Sequence, residues 1–334
     1  MKNIVQLSLI TTFRCNAKCN MCNIWKYPTK VEEEIDFKYY EKLPAGLRIN
    51  ITGGEPTLRE DIEHIFKLLY PKAYLLELST NGYYTDKIIN LAEKFPNILI
   101  RVSLEGLPNM NDSKRGTKDG FDHALRTMLE LKKTKCKNIG FSVVISQDNY
   151  KDLVHLYELC SYLNVELGNS VVHNSWYFHK EDNKIESNDA LSEHEKFIKA
   201  LLTSKRYGIK NKFKDYGRAY FNKSIYRRLR GDELGYRPAC GALKDFYFID
   251  PFGNVTPCNG TREEWILGNI KNNSFNEILE SKKSQSILEE ISNCKRNCSF
   301  IVTERHDMVR RPWEPVFWVI KNKIRIKRNQ DICV

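Results

Sequence analysis

The chain has 334 residues, which is enough for one large domain and a smaller module. No apolar run approaches the roughly 20 residues that a membrane-spanning helix needs, and the start, MKNIVQLSLITTF, does not resemble a signal peptide because Gln6 and Ser8 interrupt it. We therefore expect a cytoplasmic protein. Its net charge of +11 predicts attraction to phosphates, nucleic acid or an acidic membrane surface, unless it reflects only a generally basic surface.

Short apolar strands alternate with amphipathic helices along the first half of the chain. Strands are predicted at 4–12, 47–52, 73–79, 98–105, 139–146 and 165–172. Alternation of strands and helices at this spacing predicts parallel strands joined by right-handed crossovers.

Polar and apolar residues also alternate within these strands. In the fourth, Ile100 and Val102 share one face, and Arg101 and Ser103 share the other. Parallel strands covered on both faces should be apolar on both, and a closed eight-strand barrel fills its centre with branched apolar residues. The pattern therefore favours an α/β fold, a partial (β/α)6 TIM-like barrel whose polar lumen holds a polar ligand. The alternative is a sheet with one exposed face.

Three cysteines follow the first predicted strand in a C-x3-C-x2-C array, at Cys15, Cys19 and Cys22. Disulfides are not expected in a reducing compartment, and a structural zinc site takes four ligands. Three thiolates on a 4Fe-4S cluster leave one iron open for a substrate or cofactor. The alternatives are zinc with a distant fourth ligand, and three unligated thiols.

The array CNAKCNMC resembles the signature of the radical S-adenosylmethionine (SAM) superfamily, which also places it after the first strand. The resemblance implies that Cys15, Cys19 and Cys22 bind a 4Fe-4S cluster whose fourth iron chelates SAM. In that family the reduced cluster cleaves SAM, and a 5′-deoxyadenosyl radical abstracts a substrate hydrogen. Met21 stands where the family commonly has an aromatic residue, near the adenine.

Three later motifs resemble those with which this family holds SAM. They are NITGGEP (Asn50–Pro56), LSTNG (Leu78–Gly82) and VSLEG (Val102–Gly106). The residues implied to contact SAM are Met21, Gly53, Gly54, Glu55, Pro56, Ser79, Asn81, Ser103 and Arg115.

The resemblance gives several of these residues a specific role. Glu55 is implied to accept a hydrogen bond from the methionine ammonium, and Arg115 to pair with the SAM carboxylate. Ser79, Asn81 and Ser103 would contact the sugar or the methionyl part.

A less regular region of 176–235 is predicted to be a helical linker with substrate-facing elements. The preceding loop, VVHNSWYFHK, offers either a sugar pocket with a histidine base or a cap packed on the barrel. Glu105, His173 and Asp215 are candidate general bases.

A second cysteine set consists of Cys240, Cys258, Cys294 and Cys298, around a hairpin that is predicted to turn at Pro251–Asn254. A helix is predicted near 275–291. The set resembles the SPASM/twitch extension of radical SAM enzymes, in its shorter twitch form. The resemblance implies one auxiliary 4Fe-4S cluster that transfers electrons during oxidation or epimerisation. Zinc is the alternative.

The basic tail, 301–334, is predicted to contain an amphipathic helix. Pro315 suits its first turn, and Trp313, Phe317 and Ile320 share a face with Ile324. Such a helix is expected either to contact an anionic membrane peripherally or to dock on the barrel. Nucleic acid is not an expected partner because no recognised RNA-binding motif accompanies the charge.

The sequence divides into a radical SAM core (1–175), the linker (176–235), an auxiliary cluster domain (236–300) and the tail (301–334). It predicts a radical SAM enzyme with SAM and two 4Fe-4S clusters, reduced by a donor such as flavodoxin or ferredoxin. The predicted reaction is oxidation or epimerisation of a carbohydrate-like or lipid-linked small molecule. Peptide-modifying members often carry an N-terminal recognition domain, and the cluster motif here begins at Cys15, so we expect no such domain before it. The alternatives are a peptide maturase and a noncatalytic zinc- or iron–sulfur-binding protein.

Overall fold

One nine-stranded sheet organises the chain in the computed structural model, which describes residues 5–185, 188–232, 240–294 and 301–334. Six strands run parallel, each beside its neighbour in sequence. They are β1 (Gln6–Ile10), β2 (Arg48–Thr52), β3 (Leu75–Thr80), β4 (Leu99–Ser103), β5 (Asn138–Ile145) and β6 (Glu166–Val171). The six predicted strands and their parallel direction are confirmed.

From β2 onward, α-helices cross over between successive strands, whereas only short 3-10 turns lie between β1 and β2. They are α1 (Ile62–Leu69), α2 (Thr85–Lys94), α3 (Pro108–Arg115), α4 (Gly120–Lys133) and α5 (Leu153–Leu163). In α1, Ile62, Ile65, Phe66 and Leu69 recur at helical spacing and are all buried. The helices thus cover the apolar face of a partial TIM-like barrel.

The two faces of the strands differ as the alternation predicts. Ile49, Ile51, Ile100 and Val102 are fully buried in the main core. The opposite face carries polar side chains, among them Arg101, which pairs with a carboxylate on β6.

Two long helices occupy most of the region predicted as a linker. These are α6 (Asn188–Leu202) and α7 (Ile209–Leu229). Phe197 and Leu201 of α6 are fully buried in the main core. Both helices thus pack against the main core, and a substrate-facing role for this region stays a prediction.

The predicted C-terminal hairpin is present and extends the barrel sheet. It comprises β7 (Phe246–Ile249) and β8 (Asn254–Thr256), followed by β9 (Gly268–Asn269). The sequence did not predict that β7 pairs in parallel with β1. The C-terminal part thereby joins the strand that leads into the three-cysteine array.

The helix predicted near 275–291 is divided at Ser281. α8 (Phe275–Glu280) ends there, and α9 (Lys282–Ser292) begins with the Ser281 side chain accepting from the Ser284 N–H. A serine in that role is a typical N-cap, which explains the break.

Two helices form the described part of the tail, α10 (Ile301–Arg310) and α11 (Trp313–Lys327). Trp318 and Val319 of α11 are buried. The predicted apolar face is exposed, with Trp313, Phe317, Ile320 and Ile324 between 46% and 69% accessible. Among the described residues, no helix combines the length and apolar character that crossing a bilayer requires.

Candidate functional site

The three-cysteine loop begins where β1 ends and is held by the glycine turn after β2. The Gly54 N–H donates to the Thr12 carbonyl and the Glu55 N–H to the Arg14 carbonyl, both at 2.8 Å. A Cβ on Gly54 would lie 2.2 Å from the Arg14 oxygen, and Gly53 has a φ of +153°. Only glycine fits this close approach. The two glycines therefore hold the loop, whatever further contact they make with SAM.

The end of α3 holds the loop from another side. The Lys18 N–H donates to the Arg115 carbonyl and the Asn20 N–H to the Lys114 carbonyl, each at 2.9 Å. Gly116 ends the helix in the left-handed conformation, and a Cβ there would lie 2.5 Å from the Lys18 oxygen. Two backbone clamps thus fix the residues that precede Cys15 and those that flank Cys19.

The thiols of Cys15, Cys19 and Cys22 are partly shielded from solvent, and Cys19 lies close enough to the other two to influence them. Burial, with a smaller contribution from Cys19, raises the pKa of Cys15 and Cys22 to about 12. Bound iron would supply the positive charge that deprotonates them.

These donors suit an iron–sulfur cluster. Within the part of the chain that the structure describes, no three His, Cys, Asp or Glu side chains converge on a point where one metal ion would sit. Cluster thiolates bind separate irons and have no need to converge. Iron, sulfide and zinc contents of the reconstituted protein would distinguish such a cluster from a zinc site with a fourth ligand.

Glu55 is fully buried and anchors the site from the second motif. One carboxylate oxygen accepts from the Thr57 N–H and from the hydroxyls of Thr57 and Thr80; the other accepts from the Asn81 N–H at 2.7 Å. Pro56 begins the buried turn that Glu55 caps. Contact of Glu55 with the methionine ammonium stays a prediction, and the carboxylate already ties the ends of β2 and β3 together.

The third motif reaches the cysteine loop through an amide bridge that the sequence did not reveal. The Asn81 Nδ2 donates to the Asn16 Oδ1 at 2.6 Å. Beside it, the Ser79 hydroxyl donates to Asn50 at 2.9 Å, and Ser103 lies half-buried at the end of β4. Their predicted contacts with SAM remain untested. Asparagine side chains give no spacing signal by which the bridge could have been found.

Glu105 and Arg115 form a buried ion pair beside the cysteines, with 3.0 Å between the Arg115 Nη1 and the Glu105 Oε1. The other Glu105 oxygen accepts from the Val144 N–H at 2.8 Å. Burial raises the pKa of Glu105 despite the neighbouring guanidinium. Burial alone would lower the pKa of Arg115, but Cys19 and Glu105 raise it overall. This engagement argues against Glu105 as a substrate base.

Replacing Arg115 with methionine is expected to destabilise the fold by about 3–5 kcal/mol, because it leaves a buried carboxylate unpaired. The folded-state pKa of Glu105 would rise further, so the stability that depends on it is present at low pH and lost as the pH rises. Denaturant unfolding should therefore show a larger loss near pH 8 than near pH 6. The double change R115M/E105Q should recover part of the loss, and a double variant no more stable than R115M would contradict the pairing.

Met21 lies in an apolar cluster rather than at the surface of the loop. It packs with Val171, Val172, Phe221 and Ile225. Its carbonyl accepts from the Asn183 side chain, which also donates to the His173 carbonyl. The loop after β6 is thereby fastened to the cysteine loop.

The same loop is fastened to the C-terminal hairpin. The Ser175 hydroxyl donates to the Asn259 carbonyl at 2.7 Å, and the Tyr177 hydroxyl is paired with Thr256. His173 contacts the Asn259 side chain through Nε2 and the Val171 carbonyl through Nδ1. Burial lowers the pKa of His173 to about 4. These contacts favour the packed cap over an aromatic sugar pocket, with His173 neutral and occupied.

Asp215, the third candidate base, lies away from the site on α7. It is buried and accepts from the hydroxyls of Tyr157 and Ser204 and from Arg206. All of these contacts join α7 to α5 and to the segment before α7. Asp215 therefore stabilises helix packing, and its contacts argue against a role as a general base.

The second cysteine set is described in part. Cys240 precedes β7 and is exposed, Cys258 follows β8 and is half-buried, and Cys294 follows α9 and is exposed. Cys298 lies outside the described residues. Cys258 adjoins Asn259, so the loop after β6 connects the two predicted cluster sites.

Two family models match the chain. The radical SAM superfamily model covers residues 9–160, and the SPASM model, an iron–sulfur cluster-binding domain, covers residues 240–299. The chain therefore contains a radical SAM domain. Its C-terminal part is a SPASM domain, as the SPASM/twitch resemblance predicts.

Curated radical SAM relatives resemble parts of the chain. The Fe-coproporphyrin III synthase of Methanosarcina barkeri is 30% identical over 157 residues, which are 44% of this chain and 39% of that protein. The antilisterial bacteriocin subtilosin biosynthesis protein AlbA of Bacillus subtilis is 24% identical over 282 residues, 81% of this chain and 58% of that protein. The chain therefore spans well under two thirds of the length of either relative.

A solved radical SAM structure has the same fold. SuiB of Streptococcus suis bound to the precursor peptide SuiA gives a TM-score of 0.63 at 16% identity, covering 86% of this chain and 67% of that one. At this identity the likeness supports the fold, including the partial TIM-like barrel.

The two family matches confirm the predicted cofactors. A radical SAM domain uses SAM and a 4Fe-4S cluster, and a SPASM domain binds additional iron–sulfur clusters. The predicted membrane contact of the basic tail finds no support in these comparisons.

Proposed function

We propose that this radical SAM protein modifies a ribosomally made peptide. The observation that carries the proposal is the pairing of a radical SAM core with a SPASM domain in a chain similar to AlbA over 81% of its length. SuiB, of the same fold, binds a precursor peptide. The carbohydrate-like or lipid-linked substrate predicted from the sequence has no counterpart among these proteins, and the peptide alternative replaces it.

The residues of this chain divide the work between two cofactor sites. Cys15, Cys19 and Cys22 would hold the cluster that binds SAM, and SAM supplies a 5′-deoxyadenosyl radical that removes a substrate hydrogen. Gly53 and Gly54 fix the loop that carries the cysteines.

Oxidative crosslinking balances if the substrate loses two hydrogens. Bound SAM would supply the acceptor for one of them, as a hydrogen atom. The second would leave as a proton to solvent and an electron, and a bound SPASM iron–sulfur centre would supply the acceptor for that electron. The centre would be held by Cys240, Cys258, Cys294 and Cys298. A donor such as flavodoxin or ferredoxin would reduce the first cluster.

The loop after β6 favours communication between the two sites. It contacts the cysteine loop through Asn183 and the SPASM hairpin through Ser175 and Tyr177. Since the same segment touches both, a substrate held against it would lie near both cofactors.

The test uses anaerobically reconstituted protein with dithionite and SAM, alone and with a short Cys-, Ser- or Thr-rich peptide encoded beside its gene. We expect 5′-deoxyadenosine in both cases and a peptide mass lower by two hydrogens in the second. SAM cleavage with neighbouring peptides left unmodified would overturn the maturase assignment. Zinc at both cysteine sites, with no SAM cleavage, would overturn the assignment as a radical SAM enzyme.

A further inference from the structure

The lumen face of the barrel carries an excess of positive charge. Its cations come from two strands and from the helices α7 and α10; we call them the lumen cation cluster. They are Arg48, Arg101, Lys214, Arg218 and Arg305. The carboxylates that pair with members of this cluster are Glu77 and Glu166.

Glu166 is shared by three of the cations. Arg101 and Lys214 contact its two oxygens directly, and Arg218 lies 3.4 Å away. Arg48 pairs with Glu77 at 2.9 Å. Four of the five cations thus share two carboxylates in this part of the described structure.

Among the described residues, Arg305 is the member of the cluster that forms no ion pair with a carboxylate. Its Nη1 donates to the neutral Gln6 amide oxygen at 2.9 Å. Burial, followed by repulsion from Arg48, lowers the pKa of Arg305 to about 10. Nε of Arg48 is buried and has no hydrogen-bond partner among the residues that the structure describes. Guanidinium groups shielded from solvent are normally paired, so the excess charge favours uptake of an anion.

Neighbouring carboxylates are engaged by other cations. Asp215, close enough to influence Arg218, pairs with Arg206 at 2.9 Å. Asp245, whose carbonyl accepts from the Gln6 N–H, pairs with Arg310 at 3.4 Å. Neither neutralises the excess charge of the cluster.

The cluster begins at the lower edge of the level predicted for SAM and extends below it. Arg101 is the in-register neighbour of Ser79 and is on the same face of β4 as Ser103, both predicted SAM contacts. At the Ser103 level, the neighbours in register are Ser142 and Gly168. These small side chains leave room between the SAM level and the cations.

The cluster is also reachable. The side chains of Arg48 and Arg218 keep 19% and 18% of their surface accessible, and Lys214 keeps 36%. A planar carboxylate suits the paired N–H donors of arginine.

We propose that the lumen cation cluster binds a carboxylate of the substrate, so that the reacting residue lies above it, toward SAM. The inference rests on the proposed function and names the substrate as an acidic peptide. The carboxylate is either an Asp or Glu side chain or the C-terminus of the peptide.

The probe is N-acetyl-L-glutamate, titrated calorimetrically into reconstituted protein containing SAM. We expect binding that weakens at least about tenfold in Arg305→Gln, since a lost charge-assisted pair costs that much or more. Arg126→Gln, on the exposed side of α4, is the matched control and should bind as wild type. No binding by wild type, or equal binding by Arg305→Gln, would overturn the proposal.

Further arms separate the two sources and protect against misfolding. N-acetyl-L-glutamine keeps only the terminal carboxylate, and the α-amide of N-acetyl-L-glutamate keeps only the side-chain carboxylate; the one that retains affinity identifies the source. Arg305→Lys keeps the charge, so it should bind more tightly than Arg305→Gln at equal melting temperature. Equal, weak binding by both variants would count against a charge-based subsite.

The subsite and the proposed function fail separately. Arg305-dependent binding of the probe without any peptide modification would leave the subsite standing and remove the maturase assignment. Peptide modification, together with equal probe binding by wild type and Arg305→Gln, would support the maturase assignment and remove the subsite.

Discussion

Replacing Cys22 with alanine is expected to abolish formation of 5′-deoxyadenosine while the SPASM centre keeps its iron. Cys22 is one of three thiols on the clamped loop, and the 4Fe-4S cluster that they are predicted to hold would leave its fourth iron for SAM. Removing a ligand should cost at least about 100-fold in activity, because even outer-shell changes at metal sites cost 10–100-fold. Iron and sulfide counts, with product quantified by chromatography, measure both effects.

Cys333→Ala is the matched control for this change. Cys333 is exposed near the C-terminus and belongs to neither cysteine set, so its loss should leave iron content and cleavage unchanged. Cleavage that survives Cys22→Ala would contradict the ligand assignment. If the wild-type SPASM domain held zinc and SAM cleavage were intact, the prediction of the first cluster would stand and that of the second would fail.

The arrangement of β1–β6 was predictable because both of its signals are local. Alternation of residues such as Ile49 and Asn50 fixes which face of a strand is buried, and the motifs follow strands whose carboxyl ends share one edge. The parallel pairing of β7 with β1 joins segments some 240 residues apart, Gln6 and Phe246 being partners. Neither segment carries a pattern that names the other.

The chemistry of the site was predictable to the level of residue type, and its connections were not. Glu55 was assigned to a ligand, yet four hydrogen bonds from the protein already reach its carboxylate. Glu105 and Asp215 were candidate bases from charge alone, although each is held by an arginine. A carboxylate in a sequence does not disclose its partner, since the partner is set by packing.

Replacing Gly54 with alanine is expected to disorganise the cysteine loop and reduce SAM cleavage by about 100-fold or more, in the range of other lost supports of a metal site. The new Cβ would lie 2.2 Å from the Arg14 carbonyl oxygen and 2.7 Å from its carbon, and these backbone atoms are held in the loop by the Glu55 N–H. The loop must move away from the turn, taking Cys15 with it. Reconstituted protein should show lower iron content and a weaker SAM-dependent signal from the reduced cluster.

Gly217→Ala separates this effect from a general cost of adding a methyl group. Gly217 lies inside α7, where a Cβ would meet only the end of the Met308 side chain at 3.8 Å. Alanine there should stabilise the helix by about 0.5–1 kcal/mol and leave cluster content unchanged. If Gly54→Ala melted like wild type and bound a full complement of iron, the close approach of the turn to the loop would not be what positions the cysteines. A variant that folds normally but lacks the first cluster would show that Gly54 acts by clamping the cysteine loop. The SPASM cysteines lie beyond the reach of Gly54 and should retain their iron.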